Sequence, residues 1–150
     1  MRILDSLKIE YDSYFYECDE FIDGIHIADM LSQSYDISFK TLVAAGKSSE
    51  YFVFVLPIHR ELDLKKAAKS VGEKSVSLLH VKDIKNVTGY IRGGCSPIGM
   101  KKLFPTYIHE SCMNFPFIFV SAGIRGLQIK LSPQDLIAQS RATVCALFSE

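Results

Sequence analysis

The sequence predicts an α+β fold, with one domain over residues 1–150 and short helices set among strands around a strongly curved sheet. Three observations lead there. Two apolar β-type runs, residues 37–45 and 51–58, are joined by the polar stretch Gly46-Lys47-Ser48-Ser49-Glu50. A second pair, residues 117–122 and 127–131, is joined by Gly123-Ile124-Arg125-Gly126. Both have the pattern of hairpins. Between them lie short helical segments with explicit caps, which places helices and hairpins in one compact unit. Finally, 150 residues with 48% hydrophobic and 23% charged side chains suit one packed core and exclude a disordered chain.

Taken in order, residues 2–8 read as a short helix and residues 9–17, with Tyr11, Tyr14 and Tyr16, as a half-buried strand. Residues 19–24 form a turn. Asp23 caps a helix over residues 25–34 with Ile27, Met30 and Leu31 inward, and Tyr35-Asp36 breaks it. The first hairpin follows, its second strand ending at Pro57. Asp63 caps a helix over residues 64–71 and Gly72 stops it. That helix sets Lys65, Lys66 and Lys69 around its exposed side. Residues 75–81 predict a strand, residues 83–87 a short helix, and residues 98–104 another helix. After the second hairpin, Ser132-Pro133-Gln134-Asp135 combines a cap, a proline at the first helical position and an acid at the third. Residues 143–148 form the last strand. No linker, repeat or low-complexity segment interrupts the chain.

Charge and cysteine usage narrow the function classes. The net charge is zero, which argues against an indiscriminate nucleic-acid binder, but its distribution is uneven. Residues 1–36 carry nine acidic and two basic side chains, a balance of −7; residues 37–150 carry eight and fifteen, a balance of +7. An acidic edge beside a basic face can meet phosphate, or can simply complement itself. No apolar run reaches membrane-spanning length and the N-terminus lacks a signal-peptide core, so a cytoplasmic protein is expected. Cys18, Cys95, Cys112 and Cys145 form no C-x-x-C pair, so neither a disulfide framework nor a zinc site is indicated. His109 and Cys112 could supply two metal ligands. Buried thiols and a surface histidine are the favoured reading, and no cofactor is expected.

The chain is organised around residues 88–102, which hold four of the nine glycines. Gly93-Gly94 can bring bare N–H groups close to a ligand, and Ser96-Pro97 can cap a helix start. A glycine bend running into a helix start suits an anion or a developing oxyanion; it also suits a plain strand-to-helix turn. The spacing matches neither a dinucleotide fingerprint nor a P-loop.

That stretch and three others resemble the YbaK/EbsC family of aminoacyl-tRNA deacylases, which is related to the editing domain of bacterial prolyl-tRNA synthetases. The matching pieces are Phe39-Lys40-Thr41-Leu42; residues 61–69 (ELDLKKAAK); Thr88-Gly89-Tyr90 with residues 93–99 (GGCSPIG); and Val120-Ser121-Ala122-Gly123 with Arg125-Gly126. They occur in the family's order across nearly the whole chain. The resemblance implies a mixed, barrel-like sheet wrapped by helices. It also implies hydrolysis of the ester between an amino acid and the 3′ end of a mischarged tRNA, most typically cysteine on tRNA for proline. Cysteine and proline are similar in volume, so a synthetase pocket that admits one rejects the other weakly and a second sieve is needed.

By the same resemblance Lys40, Gly93 and Gly94 are the expected catalytic groups, with Tyr16, Thr41, Cys95, Ser96, Pro97, Ser121 and Arg125 around the substrate. Read without it, Lys40 would be an edge-strand lysine, Ser121 and Arg125 turn residues, and Tyr16 a half-buried strand aromatic. Beside Leu42, Lys40 is expected to be partly desolvated. Two departures concern specificity: some cysteine-removing relatives have an aspartate where this chain has Gln128, and residues 21–27 align poorly. The expected partners are aminoacyl-tRNA and prolyl-tRNA synthetase. Alternatives are an alanyl-tRNA(Pro) deacylase, which needs a smaller pocket and relies on a histidine, and a tRNA- or synthetase-binding module without turnover. None of His26, His59, His80 or His109 falls in a matched piece, so no protein triad is indicated. The nucleophile is instead expected to be the substrate's own thiol.

Overall fold

In the computed structural model, residues 10–16, 23–90, 96–98, 104–123 and 126–148 are described. The expected helix over residues 2–8 and most of that over residues 98–104 lie outside them. The described strands are β1 (Asp12–Phe15), β2 (Phe39–Gly46), β3 (Tyr51–Pro57), β4 (Val76–Leu78), β5 (Thr106–His109), β6 (Ile118–Ser121), β7 (Leu127–Leu131) and β8 (Thr143–Cys145). The helices are α1 (Gly24–Met30), α2 (Leu64–Val71), α3 (Val81–Thr88) and α4 (Pro133–Ser140).

The strands form two sheets, β1-β7-β6 and β4-β2-β3-β5-β8, where the resemblance implied one barrel-like sheet. Among the described residues a single parallel bridge, Ser38 to Phe119, joins them, and the barrel is not closed. Both hairpins pair antiparallel as their turns require. β5 is the unexpected element: it pairs parallel with β3 and with β8. Its four residues carry no alternation, because a strand inside a sheet is covered on both faces.

The larger core lies on one face of the sheets. Phe39 and Val43 of β2, Val53 and Val55 of β3, Ile108, Ile118, Val120, Ile129 and Leu131 meet there with Ile98 and Leu136. The opposite face of the five-stranded sheet packs Ala44, Phe52 and Phe54 against Ala67 and Ala68 of α2 and against Leu147. Helix ends follow the sequence signals closely. Asp63 accepts from the Lys65 and Lys66 N–H groups, and Gly72 ends α2 in the left-handed region. Ser132 accepts from Asp135 N ahead of Pro133. Asp23 caps α1 by accepting from His26 N, but α1 ends at Met30, four residues early, and Met30 is exposed rather than inward.

Two further expectations are corrected. His109 is buried rather than on the surface: its Nδ1 accepts from Ser111 N at 3.0 Å and its ring stacks on Phe148 at 3.9 Å. Lys66 is not part of a free lysine face, since its Nζ donates to the Phe148 carbonyl at 3.1 Å and ties the chain end to α2. Lys65 and Lys69 remain exposed. Cys112 is buried in the core, where desolvation pushes its thiol up to about 11.

Candidate active site

Strand alternation decides which residues share a face. Phe39 and Val43 of β2 point into the larger core, so Ser38, Lys40 and Leu42 point the other way. The parallel bridge sets Ser38 beside Phe119. Continued by two residues, that register leads from Ser38 to Lys40 on one strand and from Phe119 to Ser121 on the other, and β2 and β6 pack together. Ser121 pairs with Gln128 on β7, and Gln128 pairs with Tyr14 on β1. A row of half-buried polar side chains, Lys40, Ser121, Gln128 and Tyr14, thus crosses four strands and both sheets. Tyr16 lies at its end, its N–H donating to Gly126 O at 2.9 Å.

Lys40 is not an edge lysine. β2 is flanked by β3 along its whole length, by β4 at one end and by the Ser38–Phe119 bridge at the other. Partial burial lowers its ammonium below the usual lysine value, and the negative charge of Glu61 opposes the shift. Glu61 begins the second of the matching sequence pieces, so the fold couples that piece electrically to the first.

The other pieces converge through packing. The Thr88 side chain accepts from Tyr90 N at 3.0 Å, and the Tyr90 hydroxyl donates to Ile98 O at 2.6 Å. Gly123 has φ +102, and a Cβ built on it would lie 2.9 Å from Tyr90 Cε1. The Tyr90 ring therefore packs against Gly123, just beyond β6, and only glycine leaves it room. Phe39, Ile98 and Val120 then share one core.

Ser96 is buried, its Oγ accepting from Ile98 N at 3.2 Å; Pro97 is buried beside it. Ser121 Oγ accepts from Gly123 N at 3.3 Å. Thr41 alternates onto the core side, away from Lys40. Its buried Oγ1 has no hydrogen-bond partner among the described residues. Gly93, Gly94, Cys95 and Arg125 lie outside the described residues.

One further residue beside the row, Gln33, carried no expected role. Gln33, just beyond α1, donates from Nε2 to Gln128 Oε1 at 2.8 Å and accepts from Ser38 Oγ at 3.4 Å. This amide pair fastens the segment after α1 over the polar row and leaves the Gln128 amide N–H groups as donors. Gln33 stands 95 residues from its partner, and no local pattern marks it. Lys40, Ser121 and Gln128 together present donors and one positive charge, a surface suited to phosphate or to the oxygen of a polarised carbonyl. Among the described residues no group of three or more His, Cys, Asp and Glu could hold a metal ion.

Residues 26–138 match the family model of the aminoacyl-tRNA editing domain. The chain is 45% identical over 139 residues to EbsC of Enterococcus faecalis, a candidate Cys-tRNA(Pro)/Cys-tRNA(Cys) deacylase, covering 92% of this chain and 85% of the relative. In fold it is similar to a candidate trans-editing enzyme for prolyl-tRNA synthetase (TM-score 0.83, 21% identity, 99% and 96% of the two chains). It is similar also to the hypothetical protein APE2540 (TM-score 0.89, 16% identity, 99% and 97%).

Proposed function

The chain belongs to the aminoacyl-tRNA editing domain family, and on that premise we propose that it acts in trans as a deacylase of mischarged tRNA, with cysteinyl-tRNA(Pro) as its substrate. The observation that carries this reading is Lys40 itself: a partly desolvated ammonium on a central strand, on the face that Ser121 and Gln128 share, and coupled to Glu61. The 45% identity to EbsC supports cysteine as the amino acid. A link to prolyl-tRNA synthetase belongs to this proposal too, since tRNA for proline is where such an error arises.

In the reaction as we read it, Lys40 and the donors beside it hold the terminal nucleotide and polarise the ester carbonyl. The backbone N–H groups of Gly93 and Gly94 are assigned to the oxyanion; the support is the sequence resemblance. An aminoacyl ester is already activated, and a cysteine thiol with a pKa near ~8.5 is partly thiolate at neutral pH. Its sulfur attacks the carbonyl carbon of the same residue. A C–S bond forms, the C–O bond to the ribose breaks, and the ribose oxygen takes up a proton. The thiolactone that leaves is hydrolysed by water. Within a bound, oriented substrate this intramolecular attack has a large entropic advantage.

The experiment is deacylation of labelled cysteinyl-, alanyl- and seryl-tRNA(Pro) by the native protein and by Cys95→Ser. Cysteinyl-tRNA is expected to be cleaved by both proteins and seryl-tRNA poorly by either, because a hydroxyl stays protonated. Loss of activity in folded Cys95→Ser would move the nucleophile to the protein. Preference for alanyl-tRNA would overturn the cysteine assignment, and no turnover of any of the three would overturn the deacylase itself.

A further inference from the structure

The polar row does not end at Ser121. Along β6 the same face carries Phe119, and Phe117 follows just before the strand begins, two and four residues ahead of Ser121. The side chain of Lys130, opposite Phe119 on β7, lies over both rings: its Nζ is 4.9 Å from the Phe117 centroid and 6.0 Å from that of Phe119. Tyr14 packs edge-on against Phe119 at 5.4 Å and helps bury it. Phe117 is left 47% exposed. Phe15, the other exposed phenylalanine among the described residues, carries no such cation.

We infer that Phe117 and Lys130 form a subsite for the unpaired cytidines that precede the terminal adenosine of the tRNA, the ring stacking on a base and the ammonium meeting a backbone phosphate. An exposed aromatic ring with a cation held over one of its faces, leaving the other for a base, has the composition that binds single-stranded nucleic acid without reading its sequence. Geometry selects the occupant. Phe117, the residue just before β6, stands four residues from Ser121, at most roughly 13 Å. A strand whose last nucleotide sits at Lys40 and Ser121 therefore passes over Phe117 within about two extended nucleotide steps. Charge agrees with this path. Asp12 stands opposite Lys130 on β1, and no ion pair joins the two among the described residues. The identity of the strand as a tRNA 3′ end rests on the deacylase reading above; the stacking chemistry does not.

The test is binding of unacylated oligonucleotides of increasing length, from adenosine 5′-monophosphate through CA to CCA, by calorimetry. Affinity is expected to rise as the cytidines are added. Phe117→Ala should weaken CCA binding about 5- to 10-fold, the low end for a base–aromatic stack, and flatten the length dependence. Phe117→Tyr, which keeps a ring, should restore both. Lys130→Gln should reduce the salt dependence by about one phosphate contact, a change of about 0.7 in the slope of log affinity against log salt. Leu78→Ala, on β4 at the end of β2 away from the Ser38–Phe119 bridge, should leave CCA binding as it is. CCA bound no more tightly than the mononucleotide, or bound equally by Phe117→Ala, overturns the subsite. Should the native protein show this length dependence and yet fail to hydrolyse cysteinyl-tRNA, the deacylase reading falls and the subsite stands.

Discussion

Lys40→Ala separates a catalytic ammonium from a structural one. A unit charge about 4 Å from a developing oxyanion contributes about 4 kcal/mol at an effective dielectric of about 20. Lys40 is only half-buried and the oxyanion carries partial charge, so a loss of about 2–3 kcal/mol is expected, or about 30- to 150-fold in rate. The effect on the fold runs in two directions. Three methylenes beyond Cβ, about half-buried, lose roughly 1 kcal/mol of burial. Removing a partly desolvated ammonium acts in the opposite direction, so the thermal midpoint should fall by less than the burial loss alone implies. The assay is single-turnover deacylation of cysteinyl-tRNA(Pro), alongside a thermal melt. It carries a pH arm. Because burial depresses the Lys40 ammonium below its usual value of 10.5, the unfolded chain binds the extra proton between the depressed value and 10.5. Native stability therefore rises with pH across that window, and Lys40→Ala abolishes the rise. Catalysis that needs the charged form falls across the same depressed value. Glu61→Gln, which removes the charge opposing the shift, should move that fall to lower pH. Undiminished turnover by a folded Lys40→Ala, or an alkaline limb indifferent to Glu61→Gln, would refute the reasoning.

Two more predictions follow from packing and charge. Gly123→Ala places a methyl group 2.9 Å from Tyr90 Cε1 at φ +102; it should destabilise the protein by about 1–3 kcal/mol, with a melting midpoint lower by about 2–4 °C for each. An unchanged midpoint would mean that the Tyr90–Gly123 contact does not stabilise the fold. Reversing charge at Lys65 and Lys69 should weaken tRNA binding at low salt without loss of stability if this helix faces the acceptor stem. Lys66→Glu should instead lower the melting midpoint, because it removes the donor to Phe148 O. Equal effects of all three on binding alone would contradict the anchoring role of Lys66.

Much of the fold was legible because its signals are local. Both hairpins and the helices capped at Asp63 and Ser132 lie where their turn and cap residues put them. β5 escaped because a short strand buried on both faces has no period to detect, and its partners are distant in sequence. His109 misled for a similar reason. Its polarity suggested the surface, but a backbone N–H and the Phe148 ring satisfy it inside. Met30 misled at a helix end, since α1 stops before the next inward position.

The candidate site divides along the same line. Partial desolvation of Lys40 followed from its neighbour Leu42 and its strand, and the fold agrees. Thr41, its chain neighbour, could not join it, because adjacent strand residues face opposite ways. What sequence could not supply is which strand stands next to Lys40. One bridge, Ser38 to Phe119, fixes that. It converts three unrelated stretches into a row of donors, and it brings Gln33 and Gln128 together from 95 residues apart. An amide at Gln128 in place of a carboxylate has a physical consequence. With its oxygen engaged by Gln33, it faces the row with donors only, and beside Lys40 it adds to a surface that favours anions and disfavours an α-ammonium. A substrate bound against this row would meet donors there, and its α-ammonium would find no acceptor at Gln128. Gln128→Glu would restore an acceptor there. It should improve binding of substrates through their α-ammonium while weakening the hold on the phosphate, and the balance can be read by comparing inhibition by cysteine methyl ester with inhibition by adenosine 5′-monophosphate. Parallel changes in both would show that Gln128 touches neither group, and that the amide pair serves only to fasten the segment after α1.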